Sequence, residues 1–186
     1  MASKKVLSAD NQQERSKGLN PWYIVGFVEG EGTFHIAFYK DPKMKTGIKV
    51  IPEFHVNQSY LRIITLERIK NFFNCGYIKD NHKSKMTDVT KVYVVRDRKD
   101  LLLKIIPFFD QYPLISEKQN SFKIFKQIII LMDKGMHRNK SGMNKIIQLA
   151  YKMNNSGRYR RVKKESLLKS SETIRQIPNQ IGMGKI

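Results

Sequence analysis

The chain has 186 residues, 40% of them hydrophobic, which fills the core of one domain and is cramped for two. Its 35 Lys and Arg against 16 Asp and Glu give a formal charge of +19, well beyond what solubility requires, so a polyanionic partner is expected, nucleic acid first. A single Cys75 excludes an intramolecular disulfide or a Cys-rich zinc cluster, and the lack of a long apolar run or a basic amphipathic anchor gives no membrane partner.

Residues 1–18 mix Lys4, Lys5, Arg15 and Lys17 with Asp10 and Glu14, lack the apolar stretch of a secretory signal, and read as a flexible basic arm. The first helix starts at Leu19-Asn20-Pro21-Trp22, where Asn20 is a capping residue and Pro21 suits the first helical position, which needs no N–H. Ile24, Val25, Phe27 and Val28 continue it, and Gly26 and Gly30 lie four apart on one face that a second helix can approach closely.

After Gly32 the period changes to two: Phe34, Ile36 and Phe38 alternate with Thr33, His35, Ala37 and Tyr39. A polar loop at residues 40–46 leads to a second strand in which Val50, Pro52, Phe54 and Val56 oppose Lys49, Ile51, Glu53 and His55. Pro52 has no N–H for a ladder, so a free edge or a bulge is expected there.

Ile63, Ile64, Leu66, Ile69, Phe72 and Phe73 give a helix over residues 61–73. Residues 76–80 and 89–95 form a second hairpin around a polar, basic loop at 81–88. Asp100 is the expected cap of a helix reaching Phe109, Pro113 interrupts, residues 117–132 are helical with Gly135 at their end, and residues 141–153 form a further amphipathic helix. Residues 155–186, basic and rich in Gly and Pro with at most a short helix over 171–177, read as a tail ordered by a partner. The expectation is an α+β fold in the order αββαββα(α), with one four-stranded antiparallel sheet, helices on one face and a polar face left open.

The chemistry centres on Glu29-Gly30-Glu31-Gly32. Carboxylate oxygens beside a backbone carbonyl suit a hard divalent cation, although the same four residues also fit a solvated helix end. Acid at a helix C-terminus is slightly unfavourable, which favours function.

The longer stretch Leu19-Asn20-Pro21-Trp22-Tyr23-Ile24-Val25-Gly26-Phe27-Val28-Glu29-Gly30-Glu31-Gly32-Thr33-Phe34 resembles the LAGLIDADG homing-endonuclease motif and its flanks. Ile and Val replace the opening Leu and Ala, Gly30 replaces an Ala, and Glu replaces both Asp. The resemblance continues in family order through Pro52-Glu53-Phe54-His55-Val56-Asn57-Gln58, Gly76-Tyr77-Ile78 and Ile106-Pro107-Phe108-Phe109-Asp110-Gln111-Tyr112-Pro113-Leu114, and covers residues 19–154 as one endonuclease domain.

The resemblance implies a sequence-specific double-strand cut in double-stranded DNA by hydrolysis with Mg2+, for which Mn2+ substitutes. It implies Glu31 as metal ligand, assisted by the Gly30 carbonyl, with Glu29 secondary. Gln58, Arg62 and Lys118 fall at further catalytic positions, suited to placing water or stabilising phosphorane charge. One motif per chain implies a symmetric homodimer paired through Gly26 and Gly30, cutting a pseudo-palindromic site.

In such a dimer the open faces form four-stranded saddles in the major groove. Strand parity places Thr33, His35, Tyr39, Lys49, Ile51, Glu53, His55, Lys79, Asn81, Lys91 and Tyr93 there. The family also contains maturases that bind group I intron RNA, and the charge alone fits a structural, ribosome-associated nucleic-acid-binding protein. Abundant Lys, Ile and Asn suit an A+T-rich organellar genome, mitochondrial or chloroplast.

Overall fold

The computed structural model describes residues 18–81, 89–153 and 163–173, the last five of them by backbone alone. Expectations for residues 1–17, 82–88, 154–162 and 174–186 lie outside the described residues.

Helix α1 (Pro21–Glu31) begins as expected, with the Asn20 side chain accepting the Trp22 N–H at 2.9 Å and Pro21 in the first turn. It buries Ile24, Val25 and Val28 and passes without a linker into β1 (Gly32–Lys40). The junction depends on Gly32, since a Cβ there would lie 2.5 Å from Val28 Cγ1 and 2.7 Å from the Val28 carbonyl oxygen.

Strand β2 (Ile48–Ser59) runs antiparallel to β1, from Gly32 opposite Val56 to Lys40 opposite Ile48. A turn at Tyr60–Arg62 leads into α2 (Ile63–Phe73), which Asn74 closes in the left-handed region at φ 47°. Strands β3 (Tyr77–Asp80) and β4 (Thr90–Val95) complete an antiparallel sheet in the order β1-β2-β4-β3. The β2–β4 ladder ends at Phe54 opposite Val95, so Pro52 lies beyond it with β1 alone as neighbour, on the free edge its missing N–H requires.

Helix α3 (Arg98–Asp100) widens into a π turn at Leu101–Ile105 and continues as α4 (Ile106–Gln111). Its cap is Asp97 rather than Asp100, accepting the N–H groups of Lys99 and Asp100 at 2.8 and 3.0 Å. The wide turn directly precedes Pro107, whose ring excludes the carbonyl four residues back and which brings no N–H. Helices α5 (Lys118–Asp133) and α6 (Lys140–Ala150) follow, with Gly135 at φ 73° between them and Asn139 capping α6. Helix α7 (Lys164–Thr173) lies ahead of the stretch expected to be helical at residues 171–177, and Leu167 is buried with Ile48, Met143 and Ile147.

The helices cover one sheet face. Phe34 sits at the centre of that layer, its ring 5.3–5.4 Å from those of Phe54, Phe109, Phe122 and Phe125. Each such side chain contributes roughly 1.5–3 kcal/mol by leaving water. The aromatic layer fixes the register of β1 on β2, because a one-residue slip would turn Phe34 and Phe54 into solvent.

Two residues expected on the open face are on the other one. Tyr93 is fully buried in the aromatic core and donates its hydroxyl to the Cys75 carbonyl at 3.0 Å. Lys91, two residues back, shares its side of β4 and pairs with Asp80 at 2.5 Å, its ammonium 5.4 Å from the Tyr60 ring centroid. Strand β4 is interior to the sheet, so Val92, Tyr93, Val94 and Val95 are all buried and no alternation marks their faces.

Candidate active site and nucleic-acid interface

The C-terminal turn of α1 is tied to the start of α5 at two points. Lys118, at the first position of α5, donates from Nζ to the carbonyls of Val28, Glu29 and Gly32 at 2.7, 2.8 and 2.7 Å. These include carbonyls that the helix leaves unpaired at its end, and a cation there also suits the helix dipole. Burial pushes the Lys118 ammonium below the usual lysine range, against the pull of Glu29 and Glu31.

Glu29 is the second tie. Its Oε1 accepts the N–H groups of Ile115 and Ser116 at 2.6 and 3.1 Å, and its Oε2 accepts the Ser116 hydroxyl. Burial alone would raise its carboxyl, but the hydrogen bonds from Ser116 and Ile115 and the charge of Lys118 outweigh it and hold it below the usual carboxylate range. Glu29 is therefore a fastener between α1 and the start of α5.

Glu31, two residues on, is exposed and makes no hydrogen bond or ion pair among the described residues. Lys118 binds the carbonyls of Glu29 and Gly32 and not that of Gly30. At the same end of the sheet Gln58 is half-buried near the end of β2, with Oε1 accepting the Ser59 N–H at 2.8 Å. Arg62 is exposed at the close of the following turn, and Lys91 lies opposite Gln58 in register. Glu31, Gln58 and Arg62 thus share one end of the fold, and Lys118 reaches that end through the α1 carbonyls.

No group of three or more His, Cys, Asp or Glu side chains that would hold a metal exists among the described residues. Glu31 supplies one free hard-oxygen donor, which fits a divalent cation whose remaining ligands come from a second carboxylate and from phosphate or water.

Gly26 and Gly30 are both exposed, and a Cβ at either would meet nothing within 4 Å. Packing within one chain therefore gives no reason for them. Trp22 and Tyr23 are 56% and 48% exposed on the same helix, so α1 presents an apolar face with two gaps in it.

On the open sheet face, Thr33 pairs with His55, His35 with Glu53, Ala37 with Ile51 and Tyr39 with Lys49, as parity requires. Lys79 and Asn81 are exposed on the far side of the sheet. Glu53 is on the expected face but only 4% exposed, so its carboxylate is not available to a partner. Two residues that sequence reading omitted belong here: Tyr77, opposite Val94, and Arg96, next in parity after Val94. Extending the β4 alternation past the strand end would have found Arg96, had the parity of β4 been right.

The unpaired edge of β2 borders a cleft of about 630 Å³. Its charged lining is wholly basic: Lys43, Lys45, Lys49, Arg96, Arg98 and Arg138, with His137 beside them. Burial, with the charges of Arg98 and Arg138, pushes His137 below the usual histidine range, so it adds no charge near neutral pH. No helix among the described residues is long and apolar enough to cross a membrane.

The family model described as LAGLIDADG endonuclease matches residues 24–129, more than half of the chain. The chain belongs to the LAGLIDADG endonuclease family.

A relative from Neurospora crassa, named a probable intron-encoded endonuclease 2, is 35% identical over 127 residues, 68% of this chain and 26% of that protein. The chain thus spans about a quarter of that relative. The crystal structure of the homing endonuclease I-TnaI is 36% identical and superposes with a TM-score of 0.72 over 85% of this chain and 99% of that one. I-SmaMI, bound to uncleaved DNA target in the presence of calcium ions, is 33% identical with a TM-score of 0.72, over 83% of this chain and 49% of that one. This LAGLIDADG chain therefore matches nearly all of I-TnaI and half of I-SmaMI.

Proposed function

We propose that the chain is a site-specific DNA endonuclease that hydrolyses both strands of a pseudo-palindromic target as a homodimer, with a divalent metal. The observation that carries the reading is Glu31: a free carboxylate at the end of a helix whose outer face is apolar and gapped by Gly26 and Gly30, beside a basic sheet face. Small residues at 26 and 30 let two α1 helices approach and bring two Glu31 carboxylates together, completing a donor set that the described residues of one chain lack.

Mg2+, or Mn2+ in its place, would be held by Glu31 of each copy with the Gly30 carbonyl, and would polarise the scissile phosphate and activate water. Glu31 binds and orients. Gln58 has its Oε1 on Ser59, which leaves its amide N–H donors for water or a phosphate oxygen. Arg62 faces solvent at the same end and offers a permanent positive charge to the phosphate. Lys118 acts as a positioning residue, since its Nζ is already surrounded by three α1 carbonyls.

Thr33, His35, Tyr39, Lys49, Ile51, His55, Lys79 and Asn81 form the groove-facing surface, and Lys43, Lys45, Arg98 and Arg138 of the cleft meet the outer backbone. Residues 19–154 act as the endonuclease domain between a basic arm and a basic tail. An organellar intron as the coding location is part of the same proposal, supported by the intron-encoded name of the Neurospora relative.

Glu31→Gln tests the reading. The purified variant retains target binding and loses Mg2+-dependent cleavage; a variant that cuts like the wild type refutes the assignment.

A further inference from the structure

A carboxylate buried in a face offered to DNA needs a local reason, because phosphate and carboxylate repel. Glu53 is such a group, 4% exposed on interior strand β2. Its Oε2 lies 2.8 Å from His55 Nε2, and its Oε1 contacts Arg96 Nε. Neither Glu53 Oε1 nor His55 Nε2 has a hydrogen-bond partner, so each meets its neighbour by close contact alone. Both carboxylate oxygens are therefore committed to neighbours on the same face.

The consequence falls on Arg96. Its side chain is 40% exposed and contacts Glu53 through Nε, and Glu53 is its one ion-pair partner among the described residues. Arg96 follows directly on β4 and continues the parity of Val94, so it extends over the open sheet face beside Glu53 of β2. A guanidinium fixed at Nε presents two parallel N–H groups as a rigid fork, the donor pattern that matches the O6 and N7 acceptors of guanine in the major groove.

We infer that Arg96 is a guanine-reading residue of this sheet and that Glu53 is its positioning residue, touching no base itself. The inference rests on the DNA-binding reading above. It replaces two simpler assignments. Glu53 does not read cytosine, because it is buried with both oxygens engaged. Arg96 is not a general phosphate contact, because a buried anion holds it in one orientation.

The test is selection of bound sequences from a randomised duplex library by the full-length wild type, Arg96→Ala, Arg96→Lys and Glu53→Gln. The wild type enriches guanine at one position in each half-site. Arg96→Ala and Arg96→Lys lose that preference by roughly tenfold or more while the other positions keep theirs. Arg96→Lys retains the charge and the salt dependence, so its loss reports the fork and not electrostatics. Glu53→Gln weakens the preference at the same position only.

If Arg96→Ala keeps every base preference, or loses affinity equally for all sequences, the inference falls and the endonuclease reading stands. If Glu53→Gln alters a different position, its positioning role falls. A wild type that selects no sequence overturns the underlying reading together with this one.

Discussion

Lys118 Nζ lies 2.7 Å from the carbonyl oxygens of both Val28 and Gly32, bridging the point where α1 becomes β1. One ammonium thus holds the last turn of the motif helix and the first residue of the sheet. Lys118→Met removes the donors at similar length. We expect a stability loss of about 1–3 kcal/mol, as for other buried hydrogen-bonding groups left unpaired, visible as a lower Tm. Cleavage falls by roughly two orders of magnitude, because Glu31 sits on the turn that loosens.

The Glu29 tie makes stability fall in acid. Its folded-state carboxyl titrates below the ordinary glutamate value of 4.5, so the folded protein favours the charged form. The resulting stabilisation is fully present above that value and disappears as pH drops through the lower folded one. Glu29→Gln therefore lowers Tm at pH 7 and narrows the gap to wild type as pH falls below 4.5. Equal Tm differences at pH 7 and pH 3 would contradict a charged tie.

Gly26 separates folding from pairing. A Cβ added at residue 26 meets nothing within 4 Å among the described residues, and alanine outranks glycine in a helix by roughly 0.5–1 kcal/mol. Gly26→Ala is expected to leave one copy as stable or slightly more so. In the proposed homodimer Gly26→Leu fills the gap between the two helices, so the variant is expected to sediment as a folded monomer at concentrations where the wild type is expected to pair. A Gly26→Leu dimer of wild-type strength would remove α1 from the interface.

The basic cleft governs salt dependence. Lys45 and Arg138 line it, and each phosphate contact contributes a slope of about 0.9 in log K against log salt. Replacing both with alanine flattens that slope by about 1.8 and leaves base preferences intact, in contrast to changes at Arg96. Titrations of one duplex at several salt concentrations measure it.

How far the residues alone lead is clear from particular places. Strands β1 and β2 each have one wet and one dry side, so alternation gave their faces correctly, and Thr33, His35, Tyr39, Lys49 and His55 with them. Strand β4 is dry on both sides, so the same rule had nothing to count, and Tyr93 and Lys91 were placed on the wrong face. Arg96 was missed for a related reason, since it lies one residue past the strand end. Glu31 and the paired glycines were legible as a motif, whereas the three carbonyls around Lys118 depend on a contact across 86 to 90 residues that no local pattern records. The Asp97 cap lies one turn earlier than expected because Asp100 is also a plausible acceptor in sequence, and only backbone geometry separates them.

Gly32 differs from its two neighbours in the motif helix in a way that bears on inheritance. At residues 26 and 30 no described residue of the chain blocks a Cβ, which leaves the second helix of the proposed dimer as the constraint, whereas at residue 32 the obstacle is Val28 of the same chain. Every amino-acid replacement at 32 brings a Cβ, so a gene lineage has no neutral step through that codon while the chain still folds. Copies that have stopped pairing are free to drift at 26 and 30 first. Among descendants of this sequence, a retained glycine at 32 beside bulkier residues at 26 and 30 would mark a protein that still folds and has left the dimer.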